Sequence, residues 1–172
     1  MNGYFKGILD CYHHAHPKKP QLSTHKHTEI SYGSKVQSAT EDNSRPPLDT
    51  FGIKRVQSKV VALLYYARAI YNKLLVDLCA IGSQHYSAAE CTSAAIDHLL
   101  DYVTKYPNDS INYRTSSVVI AGHSDASFLN ESKACSREGG QICLSKDVPI
   151  PANNGPILTL SQIIKFDISS TA

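Results

Sequence analysis

The apolar residues change their period twice along this chain. From 49 to 107 they recur every three or four positions. Ile53, Val56, Val60, Leu63, Leu64, Ala67, Ile70 and Tyr71 form one stripe, the mark of an amphipathic helix. Asp49 or Thr50 is placed to cap its start, just after the proline pair Pro46-Pro47. Leu74, Leu75, Leu78 and Ile81 continue the stripe beyond a break expected at Asn72, and Gly82 stands where a C-terminal cap would. Ser87-Ala88-Ala89-Glu90 has the spacing of a capping box. The stripe behind it is Cys91, Ala94, Ala95, His98, Leu99 and Tyr102, and Pro107-Asn108-Asp109 stops it. The pattern predicts three helices.

From 111 onward the texture turns to short β-branched and apolar runs. Val118-Val119-Ile120-Ala121, ending at Gly122, predicts a buried strand. Gln141-Ile142-Cys143-Leu144 after Gly139-Gly140 predicts a second, and the run 157–164 after Gly155-Pro156 a third. The first 48 residues lack such order beyond a short apolar start at Tyr4, Phe5, Ile8 and Leu9. They hold four of the eight prolines and five of the eight histidines, a turn-and-coil composition. The fold expected is α+β: an irregular segment over 1–48, a helical region over 49–107, and a partial sheet over 111–172.

Length and charge narrow this only a little. The 172 residues suffice for one domain or two small ones. Seventeen Lys and Arg against fifteen Asp and Glu give a formal charge of +2, which neither requires nor forbids a nucleic-acid partner. The longest apolar run, 60–67, is far short of the roughly 20 residues that span a bilayer. Met1-Asn2-Gly3-Tyr4-Phe5-Lys6 lacks the build of a secretory signal. The expectation is a soluble intracellular chain, in cytoplasm or nucleus, with no membrane partner and no small-molecule substrate. Cys11, Cys79, Cys91, Cys135 and Cys143 are odd in number and contain no C-x-x-C pair. They read as thiols rather than a disulfide framework or a zinc site.

Candidate chemistry is sparse. His13, His14, His16, His25 and His27 cluster in proline-rich coil, more the composition of a solvated loop than of a metal site with a fixed second shell. Lys54, Arg55, Lys59 and Arg68 fall on the first long helix. Arg55 and Lys59 are one four-residue step apart, so a phosphate-binding stripe is one reading of them and a solvated face the other. Asp125, in Gly122-His123-Ser124-Asp125-Ala126-Ser127, stands at the end of the first expected strand. A sheet can hold a catalytic metal there, but a turn carboxylate looks the same. One Asp cannot make a two-metal site, because paired Mg²⁺ ions need several carboxylates. Glu131, Glu138, Asp147 and Asp167 stand at surface or loop positions rather than at a partner's spacing.

The order of segments resembles the polyprotein of copia-type LTR retrotransposons, from the end of the reverse transcriptase into its ribonuclease H domain. Met1-Asn2-Gly3-Tyr4 is similar to the family's M-P-G-Y, and Tyr32-Gly33-Ser34-Lys35-Val36-Gln37 with Pro47-Leu48-Asp49 to its linker. Leu63-Leu64-Tyr65-Tyr66-Ala67-Arg68-Ala69 resembles the L-L-Y-x-A-R-A segment of the thumb and connection, and Leu99-Leu100-Asp101-Tyr102 the helix that follows. His123-Ser124-Asp125-Ala126-Ser127 resembles the S-D-A-[SD] motif of the first ribonuclease H strand. Asn154-Gly155-Pro156-Ile157 and Ile168-Ser169-Ser170-Thr171-Ala172 fit the third strand and the approach to the next helix. Each motif is weak alone; their collinearity carries the match.

The resemblance implies a palm remnant and linker over 1–48, a thumb/connection-like region over 49–107, and the first strands of a ribonuclease H domain over 111–172. It implies that Asp125 is a vestigial catalytic residue and Mg²⁺ ligand, and that the ancestral partners are RNA–DNA hybrid or DNA. The family's second carboxylate belongs to S-S-A-x-A-E, whereas this sequence stops at Ser169-Ser170-Thr171-Ala172. The expectation is a truncated fragment of an RNA-dependent DNA polymerase/ribonuclease H, inactive alone. Two alternatives stand beside it: a non-catalytic module that binds nucleic acid or protein, and an active enzyme shortened by a gene-model error.

Overall fold

The computed structural model describes residues 3–15, 17, 21–26, 45–84, 87–127, 135–149 and 154–164. His16, His27, the stretch 32–37, Glu131, Asp167 and the final 168–172 lie outside these, as do the readings placed on them. The class is α+β. The described residues up to Ser110 form one compact unit and those from Ile111 onward a second.

The helical unit holds α1 (Tyr4–Cys11), α2 (Thr50–Ala69), α3 (Leu75–Ser83) and α4 (Glu90–Lys105). Asp49 caps α2 as its sequence suggests: Oδ1 accepts the Gly52 N–H at 2.7 Å. Glycine suits that position because a Cβ would meet this same oxygen at 3.0 Å and Leu48 Cβ at 3.2 Å. The break after α2 falls at Ile70 and Tyr71, followed by a 3₁₀ turn, Asn72–Leu74. Helix α3 runs through Gly82 and stops at Gln84 instead. In α4 the buried stripe is Thr92, Ile96, Leu99, Leu100 and Val103. It is rotated from the expected one because the larger side chains bury and leave Ala94 and Ala95 in solvent. Ahead of α2 and α4 the coil pairs with itself, Leu48 N–H donating to Ala88 at 2.9 Å.

The expected irregular start contains a helix. Phe5 and Ile8 of α1 join a core made by Val56, Leu63, Tyr66, Tyr71, Leu74, Leu78, Ile96, Leu99 and their neighbours. Tyr4 stacks on Tyr66 with ring centres 5.7 Å apart and donates its hydroxyl to Ala62 O at 3.2 Å. This early segment is therefore part of the helical core, not an appendage to it.

Tyr71 is buried and packs against Tyr66 and Tyr102. Burial first, and a hydrogen bond with Tyr102 second, push its hydroxyl far above the ordinary tyrosine range. Burial and the nearby Asp109 raise Tyr66 as well. A raised value in the folded state means the fold keeps protons that the unfolded chain releases, so stability holds below about pH 10 and is lost above it. Each such tyrosine steepens the loss by about 1.4 kcal/mol per pH unit. Urea midpoints of the helical signal should therefore fall between about pH 9.5 and pH 11, and Tyr71→Phe should flatten that fall. Parallel curves for parent and variant would show that Tyr71 titrates no differently when unfolded.

The second unit is a three-stranded antiparallel sheet in the order β1-β2-β3, with β1 (Val119–Ser127), β2 (Ser136–Ser145) and β3 (Pro156–Ile164). The three strands lie where the apolar runs suggested, but β1 is longer and its apolar start is not buried. Ile120 is 72% exposed and Val119 39%. β1 lies at the edge of the order β1-β2-β3, and these β-branched residues gain little burial there. Val118, just before β1, has a φ of 62°, an uncommon conformation for a β-branched residue.

The open end of the sheet is fastened by Asn154. Its Oδ1 accepts the Arg114 and Gly155 N–H groups at 2.7 and 2.8 Å, and its Nδ2 donates to Leu144 O at 2.7 Å and Arg114 O at 3.0 Å. Both ends of one carboxamide thus tie the incoming segment to β2. Glycine follows because a Cβ on Gly155 would come within 2.8 Å of Asn112 O.

Candidate functional site

Asp125 sits inside β1, opposite Gly139 of β2, rather than just beyond the strand. Side chains alternate between faces along a strand, so the register sorts the sheet into two sides. Asp125 shares its side with Ala121, His123 and Ser127 of β1, Arg137, Gln141 and Cys143 of β2, and Thr159, Ser161 and Ile163 of β3. Asp125 is the one acidic residue on this side among the described residues. Glu138 pairs with Ala126 and Gln162 on the other side, and it accepts from Gln162 Nε2.

The carboxylate of Asp125 is exposed, and its Oδ1 accepts the N–H of Ala126 at 2.8 Å. Two strand positions along, Arg137 presents a guanidinium to the same side, where Nη1 donates to Ser161 Oγ at 3.3 Å. Mg²⁺ asks for an oxygen octahedron, and a pair of such ions needs several carboxylates. One exposed Asp with an Arg on its side of the sheet does not supply that donor set. No group of three His, Cys, Asp or Glu side chains converges among the described residues. The described residues do not fit the ion that the sequence resemblance implies.

The four cations of α2 separate when the helix packs. Lys59 is three residues after Val56 and four before Leu63, both in the buried stripe, so its stem enters the core face. Only 5% of the residue is exposed, and its ammonium meets Asp97 of α4 at 2.5 Å. The expected phosphate contact at Lys59 is thereby corrected: this lysine is an inward-facing partner of Asp97. Arg55 is exposed but donates through Nη2 to Tyr12 O at 3.2 Å. Lys54 and Arg68 are exposed. Arg68 lies in the last turn of α2, where a cation favours the helix dipole. Thirteen residues at about 1.5 Å each put it roughly 20 Å from Arg55. What remains is a pair of cations at one end of α2 and a single one at the other.

The side chains of three described histidines have partners. His14 Nε2 lies 2.7 Å from Asp101 Oδ1, His25 Nδ1 lies 3.5 Å from Asp77 Oδ1, and His98 Nε2 lies 3.0 Å from Ser23 O. The partners of His14 and His98 lie 87 and 75 positions away. Local spacing carries no signal for such contacts. No helix among the described residues is long and apolar enough to cross a membrane. No family model, curated protein or solved structure matches the chain.

Proposed function

We propose that this chain is a fragment of a copia-type retrotransposon polyprotein, joining thumb/connection-like helices to the first strands of a ribonuclease H-like sheet, and that it does no catalysis alone. The observation that carries the reading is the collinear run of motifs, with the Leu63-to-Ala69 segment on a core helix and Asp125 within the first of three antiparallel strands. The donor set around Asp125 supports catalytic silence, because a single carboxylate cannot organise two Mg²⁺ ions.

Nucleic acid is the partner class that this origin suggests, and the helix cations set how well it binds. With Lys59 turned to Asp97, the exposed cations of α2 are Lys54, Arg55 and Arg68. Two or three phosphate contacts correspond to a salt slope of about −2 to −3 and to affinity that fades well before physiological salt. Titration of an RNA–DNA hybrid should give weak, sequence-independent binding that Lys54→Ala/Arg55→Ala lowers and Lys59→Met leaves unchanged. Micromolar binding that persists at high salt would favour the rival reading, a retained nucleic-acid-binding module.

A further inference from the structure

Among the described residues β1 has one neighbouring strand, β2, and so forms one edge of the sheet. Its nine residues pair with β2 without a shift in register. On the side away from β2, alternate residues of β1 turn out their N–H and C=O groups. Edges of this kind are usually blunted by a proline, a lysine or a bulge. The opposite edge follows that rule: β3 opens on Pro156, and its register against β2 shifts at Ile142/Cys143. β1 carries neither proline nor lysine, and Val119, Ile120 and the run 122–126 are exposed.

We propose that a second copy of this chain pairs with β1 along this edge, antiparallel, about a two-fold axis that passes through Ser124. The order of residues in β1 is complementary to its own reverse. In this register His123 stands opposite Asp125 of the second copy, and Asp125 opposite His123 of the second copy. Gly122 meets Ala126, Ala121 meets Ser127, and Ser124 meets its own copy on the axis. Side chains that stand opposite across such a pair share one side of the sheet, with Cβ atoms about 4.5–5.5 Å apart. That is within reach of a hydrogen bond from an imidazole N–H to a carboxylate. An imidazole keeps at least one N–H whether or not it is charged, so the bond does not depend on protonation. Asp125 can accept it, because a carboxylate has room for several donors and the Ala126 N–H uses one place.

The same two residues select the register. Sliding one strand by two residues keeps the sides of the sheet matched. In one direction the slide sets Asp125 against Asp125, in the other His123 against His123. Either loses both donor–acceptor pairs, and like charges directly opposite are destabilising. A contact of this symmetry closes at two copies and does not propagate. One strand edge is a small contact beside the roughly 1,200 Å² of a standard interface, so the dimer forms at high micromolar rather than nanomolar concentration.

The test is sedimentation equilibrium of the full chain from about 10 μM to about 1 mM, which should show a monomer passing into a dimer and no larger species. His123→Asp sets carboxylate against carboxylate, and Asp125→His sets imidazole against imidazole. Each variant alone should raise the dissociation constant at least about tenfold, since each change acts at both of the symmetry-related pairs. An equal mixture of the two brings the carboxylates of one variant opposite the imidazoles of the other, and it should dimerise as the parent does. Recovery in the mixture also shows that both variants fold. A parent that stays monomeric, a dimer that both variants keep, growth past the dimer, or a mixture no better than its components would overturn the proposal.

Discussion

Replacing Leu99 with alanine should lower the stability of the helical unit by about 3–5 kcal/mol, the range for a fully buried leucine whose surroundings cannot collapse into the gap. Leu99 has no exposed surface and belongs to a core assembled from all four helices. Closure by relaxation is resisted on two sides. Tyr66, Tyr71 and Tyr102 form a run of ring contacts at 6.1 and 6.3 Å, and α2 is tied to α4 by the Lys59–Asp97 pair. A small unit has only about 5–15 kcal/mol to lose. Val61→Ala is the matching control: Val61 is 66% exposed on α2, and its truncation should cost no more than about 0.5 kcal/mol. Urea titrations followed by helical circular dichroism read both, with an unchanged slope confirming that the same structure unfolds. A Leu99→Ala cost below about 1 kcal/mol would mean that this core is not packed as described.

Amide exchange should separate the two units by a wide margin. Among the described residues, every buried apolar side chain except Cys143 belongs to the helical unit. Among the described residues the sheet has three strands, with β1 and β3 at its edges. Ile120, Leu158 and Leu160 share one side of it by register, and all three are exposed. Three antiparallel strands with an apolar side exposed among the described residues are at the margin of independent stability. Amides of α2 and α4 should exchange at least about a hundredfold more slowly than those of β1 and β3, corresponding to about 3 kcal/mol. Uniform protection through 119–164 equal to that of α2 would contradict this and would mean that something covers the apolar side. Asn154 supplies most of the described fastening at one end, so what protection the sheet has should concentrate near Leu144 and Arg114.

How far the sequence led depends on whether the signal was local. Helix α2 was legible because its period is sustained for 20 residues and Asp49 marks its start. Helix α1 was not: it has eight residues, includes Gly7, and runs into histidine- and proline-rich coil. It is held by Phe5 and Ile8 against helices far along the chain, and tertiary packing of that kind outweighs weak local propensity. The three strands were visible as apolar runs, but whether β1 is buried depends on what lies over it, which no periodicity reports. At the candidate site, Asp125 stood out in the sequence, as did the lack of a second carboxylate at a partner's spacing; the register added which of the described side chains share its side. Lys59 misled for a related reason. Its four-residue step from Arg55 puts it equally on the stripe of Val56 and Leu63, and packing chose the buried face.

Catalytic silence is tested most directly by incubating the full chain with a labelled RNA–DNA hybrid and Mg²⁺ and resolving the RNA on a gel. Asp125, the one acidic residue on its side of the sheet among the described residues, predicts intact RNA, with no difference between the parent and Asp125→Asn. Mg²⁺-dependent cleavage by the parent that Asp125→Asn abolishes would contradict the account.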